Sequence, residues 1–191
     1  MQLKQAGNFI LNKLQKELPA HLLYHGINHT TDVYRATERI AKGEGISSYE
    51  QKLVLAAALF HDAGFIKKRD GHELESCVIA RRYLPAYNYQ PAEIELICGM
   101  IMATKIPQSP HTRLEEILCD ADLDYLGRDD FFLLSNTLYL ELHAECLVKN
   151  EKEWNMQQED FMENHRYFTA TSVKLRQPKK EQYIRLVKSK I

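Results

Sequence analysis

The sequence has no apolar run long enough to cross a membrane. The longest unbroken run, Leu53–Phe60, has eight residues, whereas a helix that spans a bilayer needs about 20. The N-terminal stretch Met1–Lys16 is interrupted by Lys and Gln, so it does not resemble a signal peptide. We therefore expect a cytoplasmic protein that does not associate with a membrane.

Cysteine is scarce, and its four copies are scattered along the chain. Cys77, Cys98, Cys119 and Cys146 form no CxxC pair, and three of them lie among apolar residues. We interpret them as buried free thiols. Free thiols fit a reducing compartment, which agrees with a cytoplasmic location.

A charge excess of one sign is also missing. The chain has 25 basic and 26 acidic residues, for a net charge of −1, so no overall field attracts it to nucleic acid and we expect no nucleic-acid partner. The charges are nevertheless uneven. Residues 174–191 contain seven Lys or Arg and one Glu, and residues 141–163 contain seven acids and two Lys. We interpret these segments as two helices of opposite charge that pack together.

Three common signatures of catalysis are absent from the sequence. It contains no GxSxG, no glycine-rich phosphate loop and no HExxH, which leaves the chemistries of those motifs without support. The ten Tyr and seven Phe are spread at helical spacing. This spacing is typical of a core and not of a surface that stacks on nucleic-acid bases.

Helical periodicity runs through nearly the whole chain, and no segment of four to eight residues alternates like a strand. Leu53–Phe60 alone fits a buried strand as well, but its three alanines and the capping box available to Ser47 and Glu50 favour a helix. The spacing predicts helices at about 5–18, 28–42, 48–63, 72–84, 92–104, 114–126, 129–147 and 154–173, with a last one opening at Pro178.

A chain of 191 residues suits one domain. We therefore predict a single all-α domain over residues 1–191, in which the last helices form a C-terminal addition. One apolar stripe in this part of the chain fits either the core or the interface of a homodimer. Its members are Phe131, Leu134, Leu138 and Leu142.

Imidazole and carboxylate groups follow apolar helices at several places. His61 and Asp62 come directly after Leu53–Phe60, and both groups are costly to bury unless something pairs with them. Either the helix ends in water, with Gly64 as its stop, or a metal ion holds the pair. His29 and Asp122 have similar surroundings, and these nitrogen and oxygen ligands suit Zn, Fe, Mn, Ni or Mg.

The order of these residues is H…HD…D, and the sequence segments around them are YHGINHT, HDAGF, GHELES and DADLDYLG. In this the sequence resembles the HD-domain superfamily of metal-dependent phosphohydrolases. The resemblance covers about residues 20–130 and implies an HD-domain-like helical bundle of about five core helices there, with the C-terminal helical addition at about 131–191. It also implies a divalent metal site whose ligands are His29, His61, Asp62 and Asp122.

The resemblance leaves the number of ions open between one and two. Relatives with two ions usually carry two more histidines before the last Asp, but here the corresponding helix end contains Thr104 and Lys105 and no His. His111 lies in a later loop and fits that pattern poorly. We therefore expect one tightly held divalent ion, Mn, Mg, Fe, Ni or Zn, with a second one left open.

The resemblance also suggests residues for the reaction. Asp62 would orient the attacking water or accept its proton, and His72 would reach a second metal, the substrate phosphate or the leaving group, unless it only faces water at a helix start. Lys105 and Arg128 are candidates to neutralise phosphoryl charge. His25, four residues before His29, would either touch the substrate or support a ligand.

These residues predict metal-dependent hydrolysis of a small phosphate ester or anhydride, with a small-molecule, nucleotide-like substrate. Three alternatives use the same site. They are a cyclic-nucleotide phosphodiesterase, a di-iron oxygenase, which the missing histidines disfavour, and a non-catalytic nucleotide-binding regulatory module.

Overall fold

Helices are the only regular elements of this chain. The computed structural model describes residues 1–191 and contains no strand, so the all-α prediction is confirmed. The nine helices are α1 (Leu3–Glu17), α2 (Ile27–Glu44), α3 (Ser48–Phe60), α4 (His72–Tyr83), α5 (Pro91–Ala103), α6 (Arg113–Asp122), α7 (Phe131–Ala144), α8 (Glu151–Asn164) and α9 (Ala170–Lys188). Short 3-10 turns at Ala63–Ile66, Leu84–Tyr87 and Asp124–Gly127 follow α3, α4 and α6. None of the nine helices combines the length and apolar character that crossing a bilayer requires.

Helix α3 is the centre of the bundle. It begins with a capping box, in which the Ser47 side chain accepts a hydrogen bond from the Glu50 backbone and the Glu50 side chain accepts one from Ser47. All eight residues of Leu53–Phe60 are buried. Because such a helix is apolar on every side, it needs neighbours all round, and α1, α2, α5 and α6 pack against it. The residues that follow Phe60 are consequently delivered into the interior.

Three helix termini meet at the end of α3. Helices α2 and α6 pack against α3 and against each other. His29 lies in the first turn of α2, His61 directly follows α3, and Asp122 is the last residue of α6. The packing of these three helices therefore brings together side chains that are far apart in the sequence.

The C-terminal helices pack as the charge pattern predicts. Helix α8 contacts α9, and Lys188 lies 3.0 Å from Glu159 and 3.6 Å from Glu163. A second apolar cluster joins these helices to the rest of the chain; it consists of Tyr24, Leu123, Tyr125, Leu126, Phe131, Met162, Tyr183 and Val187. Leu134 and Leu138 pack against it. These two leucines and Phe131 therefore belong to the core, while the homodimer stays a prediction.

Two predicted helix boundaries near the C-terminus are wrong. The predicted helix 154–173 ends already at Asn164, and the predicted start at Pro178 lies inside α9. The cause is the buried carboxylate of Asp120, which accepts the backbone N–H groups of Phe168 and Thr169 at 2.9 and 2.8 Å. The Thr169 hydroxyl in turn caps α9 by accepting the backbone N–H of Ser172. A residue some 50 positions away thus fixes the break between α8 and α9.

Gly64, in the turn after the His-Asp pair, has no room for a side chain. A Cβ there would lie 1.9 Å from the backbone oxygen of His72. Gly64→Ala should therefore lower the free energy of unfolding by about 2–3 kcal/mol, as overpacking does, in urea denaturation followed by circular dichroism. Gly99→Ala is the control, since its Cβ would meet nothing closer than Glu115 Oε1 at 3.5 Å. Within helix α5 that change should be neutral or stabilising by up to about 1 kcal/mol; equal stability of the two variants would contradict the packing.

Candidate metal centre

The four side chains that resemble metal ligands lie together at one point. His29 Nε2 is 3.1 Å from Asp122 Oδ1 and 3.3 Å from His61 Nε2, and His61 Nε2 is 3.4 Å from Asp122 Oδ1. Asp62 Oδ2 lies 3.3 Å from His29 Nε2 and 3.2 Å from His61 Nε2. The ligand atoms of His29, His61 and Asp122 are close enough together that these residues could hold a metal ion.

The chemistry of this cluster fits a divalent ion. Asp62 Oδ2 is buried and forms no hydrogen bond, which is costly for a carboxylate oxygen unless another group compensates it. His61 Nδ1 donates to the Ala58 carbonyl at 2.8 Å, so its Nε2 is the nitrogen left to face the cluster. A hydrogen bond at the far nitrogen is how proteins orient a metal-binding histidine. Two imidazole nitrogens and two carboxylates suit zinc, iron, manganese, nickel or magnesium.

The electrostatics of the cluster favour positive charge. Burial lowers the pKa of His29, but the neighbouring carboxylates of Asp122 and Asp62 more than offset this and raise the pKa to about 9. Burial raises the pKa of Asp62 and of Asp122, yet the neighbouring histidines hold both pKa values well below the usual range. The carboxylates are therefore ionised, and a proton and a metal cation compete for the same imidazole nitrogens.

His72 stands beside this cluster. Its Nδ1 donates to the Arg69 carbonyl at 2.9 Å, and its Nε2 lies 3.3 Å from Asp62 Oδ1. Burial lowers the pKa of His72, but the hydrogen bond to Asp62 outweighs this, so the net shift is upward. Asp62 thus presents one oxygen to His29 and His61 and the other to His72.

A cavity of about 380 Å³ opens over the cluster. His29, Asp62, His72 and Asp122 line its floor. Helices α7 and α8 also line it, through Leu138, Trp154, Gln157, Gln158 and Phe161. The C-terminal addition is therefore part of the site.

The two cations predicted to bind phosphate lie elsewhere. Thr104 and Ile106 line the cavity but Lys105, between them, does not, and its side chain is exposed. Arg128 lies on a neighbouring surface, where it pairs with Asp32 at 2.6 Å and Asp130 at 2.5 Å. The structure thus brings neither residue to the cavity, and no other Lys or Arg lines it.

Glu141 is a residue near the site that sequence reasoning missed. Its fully buried carboxylate accepts the backbone N–H groups of Tyr24 and His25 at 2.7 and 3.0 Å. It also pairs with His25 Nδ1 and Arg69 Nη2, each at 2.5 Å. Burial raises the pKa of Glu141, but His25 and Arg69 lower it to about 2. Helix α7 is thereby fastened to the loop that precedes α2.

His25 was predicted either to touch the substrate or to support a ligand. Its ring lines the cavity and stacks on Phe65 with a centroid distance of 4.3 Å. Because Glu141 engages Nδ1, its ring is held in one orientation. No local pattern could have revealed Glu141, which stands between Leu140 and Leu142 on an amphipathic helix.

The sequence model of the HD domain matches residues 26–124, a range that contains all four ligand candidates. The chain belongs to the HD domain family. Membership confirms the resemblance seen in the H…HD…D order. The matched range of the HD domain ends before α7, so the helices that close the cavity lie outside it.

Two solved structures share the fold of this HD domain protein. One, from an uncultured Thermotogales bacterium, is described as a predicted HD superfamily hydrolase; it is 18% identical with a TM-score of 0.63, over 95% of this chain and 89% of its own. The other, from Lactobacillus plantarum, is 18% identical with a TM-score of 0.64, over 99% and 96%. Both similarities extend over nearly the whole chain, so the additional C-terminal helices belong to the shared fold. No curated protein matches the chain in sequence.

Removing a ligand should abolish metal binding and leave the helices intact. His61→Ala and Asp62→Ala should each lower the affinity for Mn²⁺ at least 100-fold, since even partners behind a ligand are worth about 10–100-fold. Calorimetric titration and metal content after dialysis would measure this, with far-ultraviolet circular dichroism as the check on folding. His111→Ala, in an exposed loop, is the control. Full metal retention in either variant would refute the assignment.

Glu141 should matter far more for stability than its neighbour one turn away. Glu141→Ala leaves two backbone N–H groups and Arg69 without their buried partner, and we expect a loss of about 3–5 kcal/mol in the free energy of unfolding. Glu145 also pairs with Arg69 but is 19% exposed, so Glu145→Ala should cost about 1 kcal/mol or less. Chemical denaturation compares them; similar losses would argue against Glu141 as the fastening point.

Proposed function

We propose that this protein is a metal-dependent hydrolase that cleaves a phosphate ester or anhydride in a small, nucleotide-like molecule. The observation that carries this is the convergence of His29, His61, Asp62 and Asp122 on the floor of one cavity. At about 380 Å³ the cavity lies within the range of small-molecule sites, about 300–1,000 Å³. The description of the Thermotogales relative as a predicted hydrolase agrees with this reaction class.

His29, His61, Asp62 and Asp122 would hold the ion. A bound divalent ion lowers the pKa of a water ligand and offsets the negative charge of a phosphoryl group. The protein groups prepare the site for it, because Ala58 fixes the ring of His61 and burial keeps competing water away. Asp62 Oδ1, which faces His72, is the carboxylate oxygen placed to accept a proton from the attacking water.

His72 is the group placed to hold a proton for the leaving oxygen. Its Nδ1–H is committed to the Arg69 carbonyl, so Nε2 is the nitrogen that exchanges protons. Burial lowers the pKa of His72, but the hydrogen bond to Asp62 outweighs it and raises the pKa above its ordinary value. Asp62 and His72 thus form a pair through which a proton passes from the water side to the leaving-group side.

Hydrolysis by metal-stripped protein resupplied with Mn²⁺, Mg²⁺, Ni²⁺ or Fe²⁺ tests the proposal. The panel contains nucleoside mono-, di- and triphosphates, cyclic nucleotides and simple alkyl phosphates. We expect turnover that requires both a metal and Asp62, with Asp62→Asn reduced at least 1,000-fold, as for removal of a group that acts in the transition state. Turnover unaffected by Asp62→Asn, or absent with every metal and substrate, would reject the hydrolase. Cleavage confined to cyclic nucleotides would reassign it as a phosphodiesterase.

A further inference from the structure

We propose that helix α8 selects the leaving group of the substrate. We further propose that the substrate is a phosphate monoester and that its leaving group carries a planar, uncharged ring. The inference rests on the proposed function, since it names the substrate class of the same cavity. It depends on two properties of the lining, its charge and its aromatic wall.

The charge of the cavity argues against substrates with several phosphates. Its ionisable lining consists of three acids and three histidines, with no Lys or Arg; the residues are Asp62, Glu73, Asp122, His25, His29 and His72. A single phosphate group carries about −1.5 to −2 charges, the smallest negative charge that a phosphorylated substrate brings to this site. Each further phosphate would add negative charge beside Glu73 and Asp122, with no Lys or Arg in the lining to stabilise it. The cavity therefore favours a monoester.

The part of the cavity lining that comes from α8 is aromatic, and it is called the aromatic wall below. Trp154, Gln157 and Phe161 all line the cavity, and their spacing of three and four residues places them on one face of the helix. Trp154 Nε1 donates to Ser135 Oγ at 3.3 Å, which helps to fix the plane of the indole. Gln158 donates to the same hydroxyl oxygen and is itself buried. Hydrogen bonds to Ser135 on α7 thus fix the orientation of the aromatic wall.

This surface matches a flat heterocycle such as a nucleobase. Indole and phenyl rings stack on any planar ring, whatever its substituents. The exposed amide of Gln157 offers both donor and acceptor atoms to the edge of such a ring. A short alkyl alcohol, by contrast, has no ring to stack on these side chains. Comparing hydrolysis of a nucleoside monophosphate with that of an alkyl phosphate therefore separates the contribution of α8 from that of the metal site.

Relative values of kcat/KM test the charge argument. For the Mn²⁺-loaded protein we expect a nucleoside monophosphate to exceed the corresponding triphosphate at least 100-fold. A triphosphate that is cleaved equally well or better would overturn the monoester assignment. Turnover of alkyl phosphates alone would retain the proposed hydrolase and reject the role of α8.

Variants on α8 test the aromatic wall. Trp154→Leu and Gln157→Ala should lower kcat/KM for the nucleoside monophosphate about tenfold, in the range for contacts with a substrate side group, and change that for methyl phosphate less than twofold. Met156→Ala, on α8 but 53% exposed, is the control and should change neither. Equal losses for both substrates, or no loss for either, would overturn the inference. Gln157 is exposed, so its variant remains informative even where Trp154→Leu unfolds.

Fluorescence gives a readout that does not depend on catalysis. Trp154 is the only tryptophan in the chain, so its emission reports on the wall alone. We expect an uncharged nucleoside to quench it saturably in metal-free protein, and to fail to do so after Gln157→Ala at the same concentration. Quenching without hydrolysis in any condition would support the subsite and reject the proposed function. No quenching by nucleoside or nucleoside monophosphate would reject the subsite, whatever the activity.

Discussion

The burial of His61 and Asp62 is the constraint on which the rest of this structure depends. They follow a helix that is buried on every side, so His61 is fully enclosed and Asp62 is only slightly exposed, at the floor of the cavity. A charged or strongly polar pair in that position must be compensated. His29 from α2 and Asp122 from α6 provide this compensation in part, at 3.1 to 3.4 Å from one another and from His61. Asp62 Oδ2 forms no hydrogen bond, and a bound cation would supply the compensation that remains. The packing of α2, α3 and α6 thus compensates the buried pair and assembles the site at the same time.

Much of this could be predicted because its signals are local. Ser47 and Glu50 cap α3, and the apolar run after them carries the helix to the His-Asp pair. The predicted helix boundaries that were wrong have a distant cause. Asp120 stops α8 from continuing into α9 through hydrogen bonds to Phe168 and Thr169, and no spacing rule connects positions so far apart. Lys105 shows another limit, because its two neighbours line the cavity and it does not; sequence adjacency does not specify the direction of a side chain.

Glu141 belongs to the same class of hidden determinants. In the sequence it is one of seven acids in the acidic segment 141–163, yet in the structure it is fully buried and binds the loop before α2. Its position matters for the site because that loop leads directly into His29. The ligand geometry therefore has one anchor within the HD domain, through α3 and α6, and a second outside it, through α7. Charge alone does not distinguish such an anchor from a solvated surface residue, since the distinction lies in what packs around it.

The apolar cluster shared by the two parts of the chain bears on how the protein can evolve. Tyr24 and Tyr125, from the part that carries the metal ligands, share this cluster with Phe131, Met162 and Tyr183 from the later helices. Deleting the later helices would expose the aromatic rings of Tyr24 and Tyr125 beside the site. Helices α7 to α9 are therefore not an independent unit that can be added or removed without effect on the rest. Substitutions on the two sides of the cluster must instead be accepted together. Diversification is therefore easiest at positions such as Gln157, which line the cavity without holding the two parts together.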